Sequence, residues 1–416
     1  MGGLFAGTGI LMFIWTLFSC LGRDADFISF AYLAACFVSV FIFTGMFKKI
    51  FKTVNMIILY MYGILNMIGF CLNFGADLTG KASLHLLFDY SVSMIFFLVI
   101  FLVTRYSSLM NSGFVAAIFA AGSILMLAAA RLVGDRINGT YNWIGPLQPS
   151  EFIKLAIPVI SAWCLKPNVG SKLKIIGNSS MIPMRHFVFL ALMVGIIGLM
   201  GAINREFGTA MIIAITMVVC FLCMSSSWFW KILLSFLGAA ISLVLILSIN
   251  LLNDRILIWV DFFGEGSKLP NAEVFVRFFR LVNTTGWYGG GLTSAATANI
   301  GERYSDFAFM TAVQAGGIIL GLAITGVFVV ILICGIKIAS HQKEQESLIV
   351  FTSLCIFSVS AFIHIGGNLT SLPLTGICLP GISNGTQASL CNAGLLAFIL
   401  AYSGRRVRVL NADTEG

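Results

Sequence analysis

Charged residues are scarce in this chain. Asp, Glu, Lys and Arg make up 10% of its 416 residues, whereas they make up about a quarter of a typical soluble domain. Hydrophobic residues account for 59%, and the mean hydropathy is +0.98. No polar stretch is long enough to form a separate soluble domain. The composition therefore excludes a soluble protein and predicts an all-α polytopic integral membrane protein, because backbone polar groups within a bilayer must be satisfied inside helices.

The apolar segments predict about twelve membrane-spanning helices, since a bilayer core requires about 20 apolar residues per helix. The N-terminus lacks a basic n-region and a cleavage site, so we expect the first apolar segment to be a retained span and not a signal peptide. The short connections leave little room for anything but helices. The predicted spans are 2–21, 27–46, 54–74, 86–104, 113–131, 149–164, 186–202, 208–224, 228–251, 307–335, 349–365 and 388–403.

A net charge of +8 would suggest nucleic-acid binding in a soluble protein. Here the basic residues flank apolar segments, where they act as orientation signals and give no reason to expect a nucleic-acid partner. Placing both termini in the cytoplasm puts fourteen of these basic residues inside and five in outer loops. This topology makes 252–306 a long extracytoplasmic loop, in which the segment NAEVFVRFFRLV predicts an interfacial or re-entrant helix.

Further absences limit the chemistry. No dedicated cluster of metal ligands is visible, so a divalent cation would have to be bound partly by substrate phosphates. The segment GWYGGGL lacks the Lys-Ser/Thr that would follow in a phosphate loop, and a close-packed turn is the better interpretation. The ten cysteines lie mostly in apolar segments, which favours packing roles. A bond between Cys378 and Cys391 remains an open alternative.

The segment QPSEFIK opens the sixth predicted span with polar residues. Pro149 and Glu151 both suit the first turn of a helix. Lys154 follows Glu151 by three residues, so the two share a face and can form an ion pair. A well-started helix with one ion pair near the interface explains the segment when it is taken alone. The alternative is a functional site, because ionisable groups at membrane depth are costly and tend to line cavities.

Other polar segments also open or connect spans. Glu206 lies in the short turn NREFGTA, and NIGERYSDFAFM leads into a long apolar helix, for which Ser305 or Asp306 could serve as N-cap. The segment 366–387 is rich in Gly, Pro, Ser and Thr. His85 and Asp89 are four apart and can pair within one helix. Each feature has an ordinary structural explanation by itself.

The predicted topology places these polar segments on the same outer side of the membrane. Carboxylates can act as bases there, and cations can hold an anionic leaving group. The combination suits group transfer on a phosphorylated, membrane-bound substrate. The ionisable residues collected at the outer ends are Glu151, Lys154, Glu206, Glu302, Arg303 and Asp306.

In their order along the chain, these motifs resemble those of the SEDS family (shape, elongation, division and sporulation proteins), which includes RodA, FtsW and SpoVE. QPSEFIK matches the family's QPSExxK, REFGTA resembles PDLGTA, and TTGWYGGGL resembles SGGLxGxGL. GERYSDFAF resembles PExxTDFIF, and HIGGNLTSLPLTGICLPGISNGT is similar to the region NIG…LPxTGxPLPxISYGG. The chain departs from the family at several positions, notably Asn142, Arg205, Gln314, His364 and Asn384.

The resemblance implies a ten-helix core at 51–405, two extra N-terminal transmembrane helices at 1–50 and a cytoplasmic tail at 406–416. It implies a peptidoglycan glycosyltransferase of the bacterial cytoplasmic membrane that polymerises lipid II, with its active site facing outward. Asp306 falls on the family's catalytic aspartate and would deprotonate the acceptor hydroxyl. Residues expected to bind substrate are Gln148, Ser150, Glu151, Lys154, Glu206, Glu302 and Arg303.

The resemblance also implies a class B penicillin-binding protein as partner. Two other functions stay open, namely a transporter of lipid-linked precursors and a catalytically silent scaffold for a transpeptidase. Whether the protein serves elongation, division or sporulation is not determined by the sequence.

Overall fold

The computed structural model describes residues 1–20, 27–76, 80–137, 140–145, 147–166, 172–173, 182–223, 228–247, 257–261, 264, 268, 272–292 and 304–404. The predicted spans coincide with helices α1 to α9 and α11 to α13, and α10 lies in the long loop. The helices are α1 (Gly2–Cys20), α2 (Phe27–Ile50), α3 (Met56–Ala76), α4 (Gly80–Tyr106), α5 (Gly113–Val133), α6 (Pro149–Cys164), α7 (Met184–Gly198), α8 (Phe207–Cys223), α9 (Trp228–Leu247), α10 (Glu273–Thr285), α11 (Ala308–Ala339), α12 (Glu344–Asn368) and α13 (Thr386–Tyr402).

Within the part of the chain that the structure describes, eight helices are long and apolar enough to cross a membrane: α1 to α5, α11, α12, and α7 with its extension to Ile203. Helices α8, α9 and α13 are shorter and also apolar. Helix α6 has 16 residues and carries the charged pair Glu151 and Lys154. The predicted fold class, an all-α multi-pass membrane protein, is confirmed.

Helices α6 and α13 lie in the interior of the bundle. Almost every side chain of α6 is buried, and α13 is buried from Cys391 to Tyr402. Gly394 allows their close approach, because a Cβ there would lie 2.7 Å from a methyl carbon of Leu155. Most of α3 and α12 is also buried, whereas α1 and α5 expose most of their surface. This arrangement surrounds α6 and its polar start with other helices.

The two N-terminal helices pack on α3 and α4. Phe5 of α1 stacks on Tyr60 with ring centroids 4.8 Å apart. Phe47 of α2 meets the edges of Phe97 and Phe101 at 5.5 and 4.9 Å. The remaining surface of α1 exposes large apolar side chains, as expected of a helix that faces lipid. The exposed residues include Leu4, Leu11 and Phe18.

Two connections contain short antiparallel hairpins, so the expectation of helices alone was wrong there. Strand β1 (Asp135–Ile137) pairs with β2 (Thr140–Trp143), and β3 (Lys172–Leu173) pairs with β4 (Ile182–Pro183). Tyr141 of β2 donates its backbone N–H to the Asn204 carbonyl at 2.9 Å. The Arg131 guanidinium lies 4.2 Å from the centroid of the Tyr141 ring. Strand pairing satisfies backbone N–H and C=O groups in these connections.

Helix α11 is interrupted at Gly317, which has φ 74° and ψ −175°. The segment 286–291 forms backbone hydrogen bonds with the residues on both sides of this interruption. Gly290 and Gly291 donate N–H groups to the carbonyls of Gln314 and Ala315 at 2.8 and 3.0 Å, and Ile318 and Ile319 donate to the carbonyls of Gly286 and Trp287. A Cβ at Gly317 would collide with the Trp287 carbonyl. The prediction of a close-packed turn at GWYGGGL is therefore confirmed.

Helix α10 occupies the predicted amphipathic part of the long loop. Arg277 pairs with Glu273 at 2.5 Å on its exposed face. On the other face, Phe275 packs edge-on against Phe307, with ring centroids 5.5 Å apart. The predicted helix is thus present and contacts the segment just before α11. Its interfacial position stays a prediction.

Candidate functional site

The start of α6 carries a buried ion pair. Pro149 occupies the first turn, as predicted, and the Gln148 backbone N–H donates to the side-chain oxygen of Gln387 at the start of α13. Lys154 Nζ lies 2.7 Å from Glu151 Oε1, with side chains 6% and 8% exposed. The predicted pair is therefore present, but in the helix bundle and not in an exposed interface. Two buried charges are tolerated there because they neutralise each other.

Glu206 joins this pair from a different part of the chain. Helix α7 continues as a π-helix, Leu199–Ile203, and Glu206 lies in the turn before α8. Its Oε1 accepts a 2.6 Å hydrogen bond from the Thr209 hydroxyl, whereas its Oε2 accepts none among the described residues. The Ser150 hydroxyl and the charges of Glu151 and Lys154 are near enough to interact with this carboxyl.

Burial raises the pKa of the Glu206 carboxyl to about 7, and the hydroxyls of Thr209 and Ser150 and the Lys154 ammonium oppose this shift. The carboxyl can therefore gain or lose a proton near neutral pH. Ser150 also accepts a 2.8 Å hydrogen bond from the Asn142 amide of β2. The site thus combines α6, the hairpin and the turn before α8.

Asp306 lies directly before α11 and is half-buried. The expectation that Ser305 or Asp306 caps this helix was wrong, because Phe307 occupies the N-cap position and makes no side-chain cap. Instead, α12 supplies the acceptors. His364 Nε2 accepts from the Phe309 N–H at 3.3 Å, and Asn368 Oδ1 accepts from the Met310 N–H at 3.1 Å. Orphan N–H groups of a buried helix start must find such partners.

The same two side chains fix the Asp306 turn. The Asn368 amide donates to the Asp306 carbonyl at 2.9 Å. Since His364 Nε2 is an acceptor, its Nδ1 carries the proton and donates to the Ile377 carbonyl at 2.5 Å. Both side chains are buried. His364, which departs from the family's usual Asn, therefore ties the start of α11 to the segment after α12.

The segment 373–385 contacts both the Asp306 side chain and the start of α8, and we name it the central loop. Gly376 has φ 67°, and a Cβ there would lie 3.4 Å from Asp306 Oδ2. A Cβ at Gly208 would lie 2.7 Å from the Thr375 carbonyl, so α8 touches the same loop beside Glu206. Neighbouring loop residues thus contact the Asp306 side chain and the start of α8 beside Glu206.

Ser383 fixes the other end of the central loop. Its hydroxyl donates to the Ser305 carbonyl at 2.7 Å and accepts from the Leu379 N–H at 2.8 Å. The next residue, Asn384, donates its backbone N–H to the Tyr304 carbonyl at 2.8 Å. The loop therefore holds the backbone on the N-terminal side of Asp306, while α12 holds the backbone after it.

Four of the eight predicted site residues, Ser150, Glu151, Lys154 and Glu206, form one cluster. Asp306 lies against Gly376 of the central loop. Gln148 contributes its backbone contact to α13, whereas Glu302 and Arg303 lie outside the described residues. Sequence reasoning did not assign roles to several supporting residues, although a His and an Asn one turn apart in an apolar helix were a usable signal. These residues are Asn142, Thr209, His364, Asn368 and Ser383.

Two further alternatives can be compared with the structure. Cys378 and Cys391 form no disulfide. Among the described residues, no group of three His, Cys, Asp or Glu side chains could hold a metal ion. The available groups can shift protons and bind an anion.

Fold and site define a multi-pass helical membrane protein with a buried polar cluster where α6, the β1–β2 hairpin and the turn before α8 meet. Residues 49–406 match the family model described as cell cycle protein, which covers the FtsW, RodA and SpoVE proteins. The chain belongs to this family.

Curated relatives agree. The chain is 25% identical over 291 residues to a probable peptidoglycan glycosyltransferase FtsW of Coxiella burnetii, covering 67% of this chain and 74% of the relative. It is 23% identical over 340 residues to the protein of the same name from Caulobacter vibrioides, covering 79% and 83%.

Solved structures show the same fold. The description of one such structure is the structural coordination of polymerization and crosslinking by a peptidoglycan synthase complex. It has a TM-score of 0.64 and 21% identity, and it covers 85% of this chain and 99% of that chain. The Thermus thermophilus rod shape determining protein RodA has a TM-score of 0.57 and 20% identity, covering 84% and 97%.

Proposed function

We propose that this protein is a peptidoglycan glycosyltransferase that polymerises lipid II at the outer side of the bacterial cytoplasmic membrane. Family membership and the names of the FtsW relatives support the reaction class. The observation that carries the proposal is the buried Glu151–Lys154 pair with the Glu206 carboxyl beside it. A buried pair beside a second carboxylate is expected where a charged substrate reacts.

In the proposed reaction, Asp306 takes the proton of the acceptor sugar hydroxyl. The hydroxyl oxygen attacks the anomeric carbon of the other lipid-linked chain from the face opposite its leaving group, so the configuration inverts. The bond from that carbon to undecaprenyl pyrophosphate breaks, and the leaving group carries away the electron pair. General base catalysis of this kind contributes typically 10²–10⁴-fold to a rate.

Lys154 is proposed to hold the pyrophosphate, and Glu151 to orient Lys154. A compact ammonium is suited to a phosphate because it has three donors and a full charge. Ser150 and Glu206 would contact the substrate beside this pair, and Gln148 would shape the start of α6. Glu302 and Arg303 precede Asp306 in the chain and are proposed to bind substrate too. A divalent cation at the pyrophosphate would take most of its ligands from the phosphates.

We also propose a class B penicillin-binding protein as partner. The support is a structural neighbour whose description concerns polymerization and crosslinking by a peptidoglycan synthase complex. Residues 1–50 are proposed to be an addition to a core at 51–405 with a cytoplasmic tail at 406–416. This division is supported by the family match, which begins at residue 49, after most of α1 and α2. The predicted topology leaves both termini in the cytoplasm.

The test is polymerisation of purified lipid II by the full-length chain with its partner. We expect Asp306→Ala to abolish glycan polymer while the protein still folds. The matched control is Asp135→Ala, which makes the same change at an exposed position on β1 and should retain activity. Unchanged polymer yield from Asp306→Ala would remove Asp306 from the role of base.

Two alternatives give different results in the same system. A lipid II transporter would move labelled lipid II across vesicles, and the wild-type protein with a verified partner would make no polymer. A silent scaffold would do neither, although it would still bind the transpeptidase. Either result would overturn the proposed activity.

A further inference from the structure

A polar cavity, whose lining does not include Glu151 or Lys154, lies between α3, α4 and the segment that leads into α13. Its volume is about 30 Å³, enough for one or two water-sized species. The proposed reaction uses none of the side chains from α3 and α4. The polar residues that line it are Asn66, Asn73, Asp89, Ser93, Asn384 and Ser389.

Asp89 gives this cavity a negative charge. Its side chain is 8% exposed, and Oδ1 accepts a 2.9 Å hydrogen bond from the Thr386 hydroxyl. Oδ2 lies 3.1 Å from His85 Nδ1, so the pair predicted from sequence is present. The His85 side chain, however, is 70% exposed. A mostly hydrated imidazole is a weak counter-charge for a buried carboxylate, which requires compensation nearby.

The neutral side chains add oxygen atoms. Asn66 and Asn73 each donate an amide N–H at 2.8 Å to a carbonyl of their own helix, from Tyr62 and Gly69 respectively. This use of the nitrogens fixes the amide orientation and leaves each Oδ1 as an acceptor. Ser93 is buried, and its hydroxyl has no hydrogen-bond partner among the described residues. An unmatched buried hydroxyl calls for an explanation such as a bound ion or water.

We propose that this cavity binds one monovalent cation, such as Na⁺, through Asp89, Ser93 and the amide oxygens of Asn66 and Asn73. Oxygen ligands select hard cations. A single carboxylate balances a single charge, whereas Ca²⁺ takes 6–8 oxygen ligands and usually several carboxylates. The cavity volume also fits one small ion better than a hydrated one.

Binding would link α3 to α4 next to the segment before α13, because Asp89 also accepts a hydrogen bond from Thr386 at the start of α13. That segment includes Ser383 and Asn384, which line the cavity and bond to the backbone at Ser305 and Tyr304. The cation would therefore stabilise the support of the Asp306 turn without touching substrate. Its binding does not depend on the proposed reaction.

The test is thermal unfolding of the purified full-length protein in detergent, with NaCl, KCl or N-methyl-D-glucamine chloride at constant ionic strength. We expect the Tm of the wild type to rise with Na⁺ and to saturate, because an ion that binds only the folded state stabilises it by mass action. Asp89→Asn keeps the shape and the Thr386 contact but should abolish the response. Ser93→Ala should raise the half-saturating Na⁺ concentration on the order of tenfold, for one lost ligand.

The matched control is Glu273→Gln, which removes an exposed carboxylate of α10 and should leave the Na⁺ response unchanged. Equal Tm values in all three salts would show that the cavity holds water only and would overturn the proposal. An unchanged response in Asp89→Asn would also overturn it. If Asp89→Asn does not fold, the Na⁺ dependence of the Tm in the wild type and in Ser93→Ala still tests the proposal. The readout is unfolding, so a failure of the glycosyltransferase proposal leaves this test intact.

Discussion

Replacing Lys154 by Met tests whether the buried ion pair serves structure alone or also serves the reaction. Met has similar length and no charge, so the change removes the ammonium and keeps most of the volume. Glu151 then remains buried without its partner, since its side chain is only 8% exposed. The replacement therefore changes charge more than packing.

The magnitude follows from the geometry of the pair. Nζ and Oε1 are 2.7 Å apart and buried, and removal of one partner of such a pair costs about 3–5 kcal/mol. Replacing both partners by apolar residues is often neutral or stabilising. We therefore expect the double variant Lys154→Met with Glu151→Leu to unfold at higher denaturant concentration than Lys154→Met alone.

Among these Lys154 variants, we expect polymerisation activity to stay low even where the folding stability is restored. If Lys154 holds the pyrophosphate, the double variant recovers its fold but makes little glycan polymer from purified lipid II. Lys154→Arg keeps the charge and should retain part of the activity. The assay pairs chemical denaturation with polymer yield for each variant. Wild-type polymer yield from the stable double variant would refute the substrate role and leave only a structural explanation.

Three further predictions use other parts of the structure. Folding raises the pKa of Glu206 from 4.5 to about 7, so its protonated form stabilises the fold at low pH and this contribution is lost as pH rises from about 4.5 to 7. For the wild type, we expect the free energy of unfolding to fall by an amount on the order of 1–3 kcal/mol between pH 5 and pH 8, and Glu206→Gln should remove this decrease. His364→Leu leaves the buried Phe309 N–H and the buried Ile377 carbonyl unpaired, which should lower the free energy of unfolding by about 1–3 kcal/mol for each group. His364→Gln can still form such hydrogen bonds, so it should unfold at higher denaturant concentration than His364→Leu and retain more polymerisation activity. Gly317→Ala should lower unfolding stability by roughly 1–3 kcal/mol because of its positive φ and the Trp287 carbonyl; Gly326→Ala, with open space around it, should raise it by about 0.5–1 kcal/mol.

Helix positions were largely predictable because they depend on local composition. Each predicted span coincides with a helix, usually within a few residues at each end, and the pairs Glu151–Lys154 and His85–Asp89 follow from helical spacing alone. The hairpin β1–β2 was missed because a few paired residues carry no recognisable alternation. The bend at Gly317 was missed because a glycine in an apolar run is compatible with a continuous helix.

The candidate site was predictable as a set of residues but not as an arrangement. The motif order and the charge bias placed Asp306 and Glu206 on one predicted side of the membrane. Neither could show that α12 caps α11 through His364 and Asn368, which lie more than fifty residues further along the chain. The cap expected from Ser305 or Asp306 follows from local sequence alone, whereas in the structure side chains of a distant helix bind these N–H groups.

The sequence by itself determined where the chain forms apolar helices and which charged side chains share a face, since both depend on residues within a few turns. Only the tertiary structure decided that the central loop meets both Asp306 and Gly208, and that Thr386 at the start of α13 bonds to Asp89 of α4. Those contacts depend on how side chains of distant helices fill space, and glycines such as Gly376 and Gly394 permit approaches whose partners no local pattern specifies.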